Sequence, residues 1–165
     1  MLKKQLPAIL LVLAILTGLL TNMTQAADTG KRDCADMESY WWGVTVHKLS
    51  AKDRDLVTRV VMAEAGGSTL EGMCGVAQVI RERAESWGMS AREVVTARAQ
   101  FAAPYKGELS GDAVRAVEMV FDEGYRQFAG YTTHFHAKRV SPWWTKSKVC
   151  RGEVDSQVFW GVNAV

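Results

Sequence analysis

The stretch that most constrains the fold runs from Asp55 to Arg83, DLVTRVVMAEAGGSTLEGMCGVAQVIRER. Apolar residues recur at helical spacing on either side of Gly66 and Gly67, so the stretch reads as two helices joined by a tight break. Leu56, Val60 and Glu64 recur every four residues, which puts Glu64 in line with a core-facing stripe. A carboxylate in that line is unusual, because burying an ionised carboxylate without a partner is costly. Gly66 and Gly67 are expected to end the helix as a left-handed C-terminal cap does. Glu64 then lies in the last turn, among unpaired carbonyls and near the negative end of the helix dipole. Partial burial and that dipole both disfavour the charged form. A carboxylic acid kept protonated is what a general acid requires. The alternative is a helix-end glutamate that points at water.

The first residues bear on compartment. Lys3 and Lys4 precede an apolar run from Pro7 to Leu20, followed by TNMTQAADTG with Thr24 and Ala26 at the small-residue positions of a cleavage site. That pattern is a secretory signal (residues 1–26) cut near Ala26, and the apolar run is short for a membrane span. An uncleaved N-terminal anchor is the other reading, and membrane contact is expected only through this segment. The expected location is therefore exported: periplasm, cell wall or outside the cell. Cleavage removes two lysines and no acid, so the formal charge of +2 falls to about zero and charge gives no pointer to nucleic acid. Residues 27–165 suffice for one domain with a core, and a monomer is expected. Cys34, Cys74 and Cys150 remain. Export permits a disulfide, and three cysteines allow three pairings; Cys74 falls inside the second helix as a small buried hydrophobe, and a Cys34–Cys150 bridge would staple the arm down.

Taken in order, residues 27–50 form a polar and then aromatic arm carrying Tyr40, Trp41 and Trp42. Ser50 and Asp53 resemble a capping box for a helix over Ala51–Ala65. The second helix spans about Leu70 to Trp87, with Val76, Val79 and Ile80 on its apolar side. Ser90 and Glu93 open a short helix ending near Ala97. The loop AQFAAPYKGELSGD holds Gln100, Phe101, Pro104 and Tyr105, and a loop this long in a compact domain is often functional. A fourth helix is expected from about Asp112 to Phe128, with Ala113, Val117, Val120 and Phe121 in the core. From Gly130 the period changes to alternation: YTTHFHAKRV predicts a strand, SPWWTK a turn, and KVCRGEVDSQVFWGV a hairpin turning near Gly152 to Asp155. The domain over residues 51–165 is thus α+β, helices followed by a small antiparallel sheet.

Three groups of residues carry possible chemistry. His134 and His136 lie two apart on a strand and share a face. They could grip zinc only with a third ligand, and His47 in the arm is the remaining histidine. Exposure on a strand face, or hydrogen bonding to a polar ligand in a groove, are the other readings, the last preferred. Trp143 and Trp144 follow Pro142; flat rings with an N–H donor suit stacking on sugar faces, and one of the pair can pack inward while its neighbour faces out. Glu71, Glu108 and Asp112 are candidates for a second carboxylate, but nothing places them opposite Glu64. Glycosidases usually need two carboxylates at a set separation. A single acid instead suits a substrate that supplies its own nucleophile, as when the 6-hydroxyl of muramic acid attacks C1.

These blocks resemble the spore-cortex-lytic and related cell-wall hydrolases of SleB/CwlJ type. The helical hairpin of that family reads like EARGExxEGQxAVAxVVxNR and stands here as EAGGSTLEGMCGVAQVIRER, Glu64 to Arg83, without a gap. A later block like THYHAxxVSPxW stands as THFHAKRVSPWW, Thr133 to Trp144, and a QFS-like loop as Gln100-Phe101-Ala102. The final hairpin of the family is echoed loosely by Lys148 to Trp160. The resemblance implies a lysozyme-like fold acting on peptidoglycan glycan strands at the MurNAc–GlcNAc bond. It implies a lytic transglycosylase with Glu64 as the single catalytic acid/base, and neither cofactor nor metal. Gln100, Phe101, Tyr105, His134, His136 and Trp143 are the expected substrate contacts. The chain departs from the pattern at Gly66, Ser68, Glu82, Ala102 and Ala103. A zinc-dependent wall peptidase using His134 and His136, and a wall-binding protein whose activity has decayed, are the competing expectations.

Overall fold

The computed structural model describes residues 48–162. The signal segment, the aromatic arm through His47, and Cys34 lie outside the described residues. Helix α1 covers Ala51–Ala65 and α2 covers Leu70–Trp87. Both match the expected spans, because cap chemistry and apolar period agree there. Ser50 Oγ accepts the Asp53 N–H at 3.2 Å and gives its own proton to Asp53 Oδ2 at 2.6 Å. Asp53 thus meets the hydroxyl of Ser50, whereas the Ser90–Glu93 box before α3 (Ala91–Thr96) is reciprocal through the backbone.

The left-handed cap expected after α1 is not formed. Gly66 is right-handed (φ −63°, ψ −11°). The chain reverses instead through a Ser68 N–H to Ala65 C=O bond of 2.9 Å and enters α2 at once. Thr69 caps α2 and is itself held from across the domain: its N–H and hydroxyl both donate to Asp155 Oδ2, at 2.8 and 2.9 Å. The tip of the last hairpin therefore fastens the break between the two helices.

Helix α4 runs Gly111–Phe121, shorter than expected at its C-terminal end. The apolar period continues to Phe128, but Gly124 takes φ 75° and Tyr125 N–H returns to Met119 C=O at 2.9 Å, which turns the chain off the axis. Tyr125 and Phe128 are still buried, so the period reported burial rather than helix. Strands β1 (Thr132–Ala137), β2 (Val149–Val154) and β3 (Gln157–Gly161) form an antiparallel sheet of order β1-β3-β2. The hairpin turns later than expected, after Val154, with Asp155 at φ 50°. The register slips between Cys150 and Gly152, so Gly152 belongs to the strand. The SPWWTK turn contains a short 3-10 helix, Trp143–Ser147. Cys150 is exposed, and the bridge to Cys34 weighed from the sequence involves a residue outside the described ones. Among the described residues, no helix is long and apolar enough to cross a membrane.

Helix α2 is the axis of the domain: Gly72 through Ala84 are all buried. It packs on α1 and α4, and Val76, Val79 and Ile80 are fully buried in one core with Val60, Val117 and Val120. Gly75 faces the sheet, where a Cβ would stand 2.7 Å from the Phe159 ring and 3.1 Å from Phe128. The polar side reaches the entry to β1. Gln78 donates to Phe128 C=O at 3.0 Å and accepts Phe128 N–H at 2.9 Å. Glu82, fully buried, accepts from Gln78 Nε2 at 2.9 Å and from the Thr132 N–H, with Arg126 Nε at 3.3 Å. Burial nevertheless pushes the Glu82 carboxyl up to about 7 against the opposing pull of those donors and of Arg126 and Arg81.

Two outcomes follow for stability. Gly75→Ala should cost about 1–3 kcal/mol in urea unfolding, because rings on both sides must shift. For Glu82 the folded value lies above the ordinary 4.5, so the unfolded chain binds fewer protons between those pH values. Stability should therefore fall as pH rises from 4.5 to about 7, by up to about 3 kcal/mol for this group. The slope should be shallower in Glu82→Gln when both proteins are unfolded across that window.

Candidate functional site

Glu64 stands in the last turn of α1, half-buried, one residue before the fully packed Ala65. Its stripe is visible in the structure: Val60 is fully buried and Leu56 packs against the core. Two contacts hold it. Gln157 Nε2 on β3 donates to its backbone carbonyl at 3.1 Å, which satisfies one of the open carbonyls at the helix end. The N–H of Ala102 donates to its Oε1 at 2.5 Å. That amide lies in the loop after α3, which the sequence marked by Gln100, Phe101 and Tyr105.

The loop is braced on α1. Arg59 donates to the carbonyls of Tyr105 and Gly107 at 3.0 and 3.3 Å, and Tyr105 N–H returns to Arg59 C=O at 3.1 Å. Tyr105 is exposed. Gln100 is exposed but its Oε1 accepts from Arg83 at 3.1 Å, while the Phe101 ring is half-buried 6.3 Å from Phe135 of β1. Gln100 and Phe101 therefore have partners within the protein, and Tyr105 offers its ring to solvent.

His134 and His136 lie on one face of β1, as alternation requires, with Phe135 turned to the core. Trp144 sits against both imidazoles, at 5.1 and 5.7 Å between ring centroids, and Trp160 of β3 stacks on His136 at 5.9 Å. Trp144 is thus the inward member of its pair, and Trp143 is 82% exposed. His134 Nδ1 meets Thr133 Oγ1 at 2.9 Å, and His136 Nδ1 meets the Ala137 carbonyl at 2.9 Å. Burial, and after it the positive charges of Lys148 and Arg83, hold the His134 imidazole down at about 4. It is therefore neutral near pH 7, a hydrogen-bonding group rather than a cation. Among the described residues, no three His, Cys, Asp or Glu side chains gather as a metal set, and His47 lies outside them. Glu71 falls in the first turn of α2, Glu108 in the exposed loop and Asp112 in the first turn of α4.

Arg83 was not singled out as a site residue from the sequence. It is buried in α2, donates Nε to Thr133 C=O at 2.7 Å, and carries its guanidinium 5.0 Å from the Phe101 ring centre. Burial lowers it to about 10, with the charge of Glu64 pulling the other way. The signal was available: Arg83 continues the apolar row of Val76, Val79 and Ile80, as Glu64 continues that of Leu56 and Val60. Charged residues in core rows are informative because they must find partners.

The Cell Wall Hydrolase family matches residues 67–160, starting just past Glu64 and running through the sheet. No curated protein sequence matches the chain. Among solved structures, the catalytic domain of the Bacillus cereus SleB protein is 20% identical with a TM-score of 0.62, covering 72% of this chain and 98% of that one. The catalytic domain of the germination-specific lytic transglycosylase SleB from Bacillus anthracis is 18% identical with a TM-score of 0.57, covering 68% and 97%. At such identities the likeness is one of fold, lysozyme-like α+β. With four helices and a three-stranded sheet among its described residues, and with the match spanning more than half of its length, the chain belongs to the cell wall hydrolase family.

Proposed function

We propose that this chain is an exported peptidoglycan glycosidase, a lytic transglycosylase that cuts the MurNAc–GlcNAc bond with Glu64 as its single acid/base. The observation that carries the reading is the setting of Glu64: a half-buried residue in the last turn of a helix, with one carboxyl oxygen held by a backbone N–H and the other available to a substrate. In its acid form Glu64 gives a proton to the glycosidic oxygen as the bond from C1 of MurNAc breaks. The 6-hydroxyl of the same sugar then bonds to C1 and passes its proton to the Glu64 carboxylate, which restores the acid. One C–O bond breaks and one forms, no water is consumed, and the product ends in a 1,6-anhydro ring.

The family membership supports wall cleavage, and the name of the Bacillus anthracis neighbour supports the non-hydrolytic outcome. Export rests on the signal-like segment before Ala26. Neutral His134, the Tyr105 ring and the outward Trp143 suit an uncharged, hydroxyl-rich chain, since hydrogen bonds and flat apolar faces recognise sugars. A zinc peptidase reading has no third ligand among the described residues.

Glu64→Gln should lower release of soluble fragments from purified sacculi by about 10²–10⁴-fold, the usual worth of a positioned acid/base. Mass spectrometry of the wild-type digest should show anhydro ends; reducing ends would mean hydrolysis. Release by Glu64→Gln at the parent rate would overturn the reading. For His134, carbon-resolved NMR of the ring should show a midpoint near about 4 and a neutral imidazole at pH 7. His134→Ala should weaken substrate binding without moving the pH–rate profile above about pH 5.5.

A further inference from the structure

Residues 100, 101 and 102 are three consecutive positions of one loop, and each has a different anchor. Gln100 Oε1 accepts from Arg83 Nη1 at 3.1 Å. The Phe101 ring lies 5.0 Å from the Arg83 guanidinium and 6.3 Å from Phe135, so it is clamped between a cation and the sheet. Ala102 N–H then falls on Glu64 Oε1. Two of the three anchors are the same side chain. That side chain is itself fixed from the other direction, because Arg83 Nε donates to Thr133 C=O at 2.7 Å and the guanidinium lies 5.4 Å from the Trp87 ring centre.

We propose that Arg83 is a positioning residue for Glu64: by gripping Gln100 and Phe101 it sets the Ala102 amide that orients the carboxyl. This rests on the assignment of Glu64 as the acid/base. A planar guanidinium is needed, since it donates in two directions within one plane while a ring packs on its face. A lysine ammonium supplies charge without that fork. Arg83 touches no part of the expected substrate in this arrangement; it acts through the loop. Gln100 is accordingly a brace for the loop rather than a sugar contact.

The test compares Arg83→Lys, Arg83→Gln and Gln100→Leu with the parent and with Glu64→Gln. Each is assayed on solubilised peptidoglycan fragments for kcat and KM. Each is also followed by NMR of the Ala102 amide proton, whose shift reports its hydrogen bond to Glu64. In the parent, that proton should lie downfield, as a short bond to a carboxyl oxygen requires. In Arg83→Lys, Arg83→Gln and Gln100→Leu that downfield shift should be lost while the rest of the amide spectrum is kept. Their kcat should fall, by about 100-fold for the arginine variants, as expected for misplacement by about an ångström, with KM little changed. Should Arg83 variants fail to fold, Gln100→Leu decides alone, because it removes one anchor and leaves the buried arginine in place. A rise in KM with unchanged kcat in Gln100→Leu would make Gln100 a substrate contact and overturn the proposal. So would folded Arg83 variants with the Ala102 amide shift and kcat intact. The Glu64→Gln control separates the two levels: if it keeps parent activity, the acid/base assignment itself has failed and the role of Arg83 falls with it.

Discussion

The structure depends on how the polar side of α2 grips the chain as it enters the sheet. Gln78 closes both backbone groups of Phe128, Glu82 takes the Thr132 N–H, and Arg83 takes the Thr133 carbonyl. All three side chains are buried, where an unmade hydrogen bond costs about 1–3 kcal/mol per group. Apolar packing alone would let the sheet slide along the helix. These bonds fix where the chain passes α2 as it enters β1.

The consequence is that the candidate site draws on parts distant in the chain. Glu64 comes from the end of α1, its amide partner from the loop after α3, the support for its backbone from Gln157 of β3, and the imidazoles from β1. Arg83 and Asp155 are two of the links that cross between these parts. Asp155 ties the hairpin tip to the α1–α2 break, and Arg83 ties the loop to the strand. Glu82 sits beside Arg83 and stands where the related pattern has asparagine. Its burial disfavours the charged form, so the grip on Thr132 contains an ionisable group where the pattern has a neutral amide.

Most of the fold was legible in the chain itself. The spans of α1 and α2, the capping box of α3 and the change of period near Gly130 all follow from local chemistry: caps satisfy helix ends, and side chains alternate on strands. What failed was equally local in origin. Gly66 was expected to be left-handed because glycine permits it, but the chain turned through a right-handed conformation with Asp155 holding the far side. Residues 122–128 kept an apolar period after the helix had ended, since burial and helicity share a spacing only while the axis continues.

The sequence by itself marked Glu64 as a residue to be reckoned with: it sits in a row that ought to be apolar, and a buried charge demands a partner. It also determined that His134 and His136 share a face and that the tryptophans follow a proline turn. Tertiary structure decided who the partners are. Nothing in the spacing joins Ala102 to Glu64, Gln100 to Arg83 or Asp155 to Thr69, because those pairs are set by the packing of whole elements on α2. Local period reports which side of an element is buried, and only the closed core reports what it is buried against.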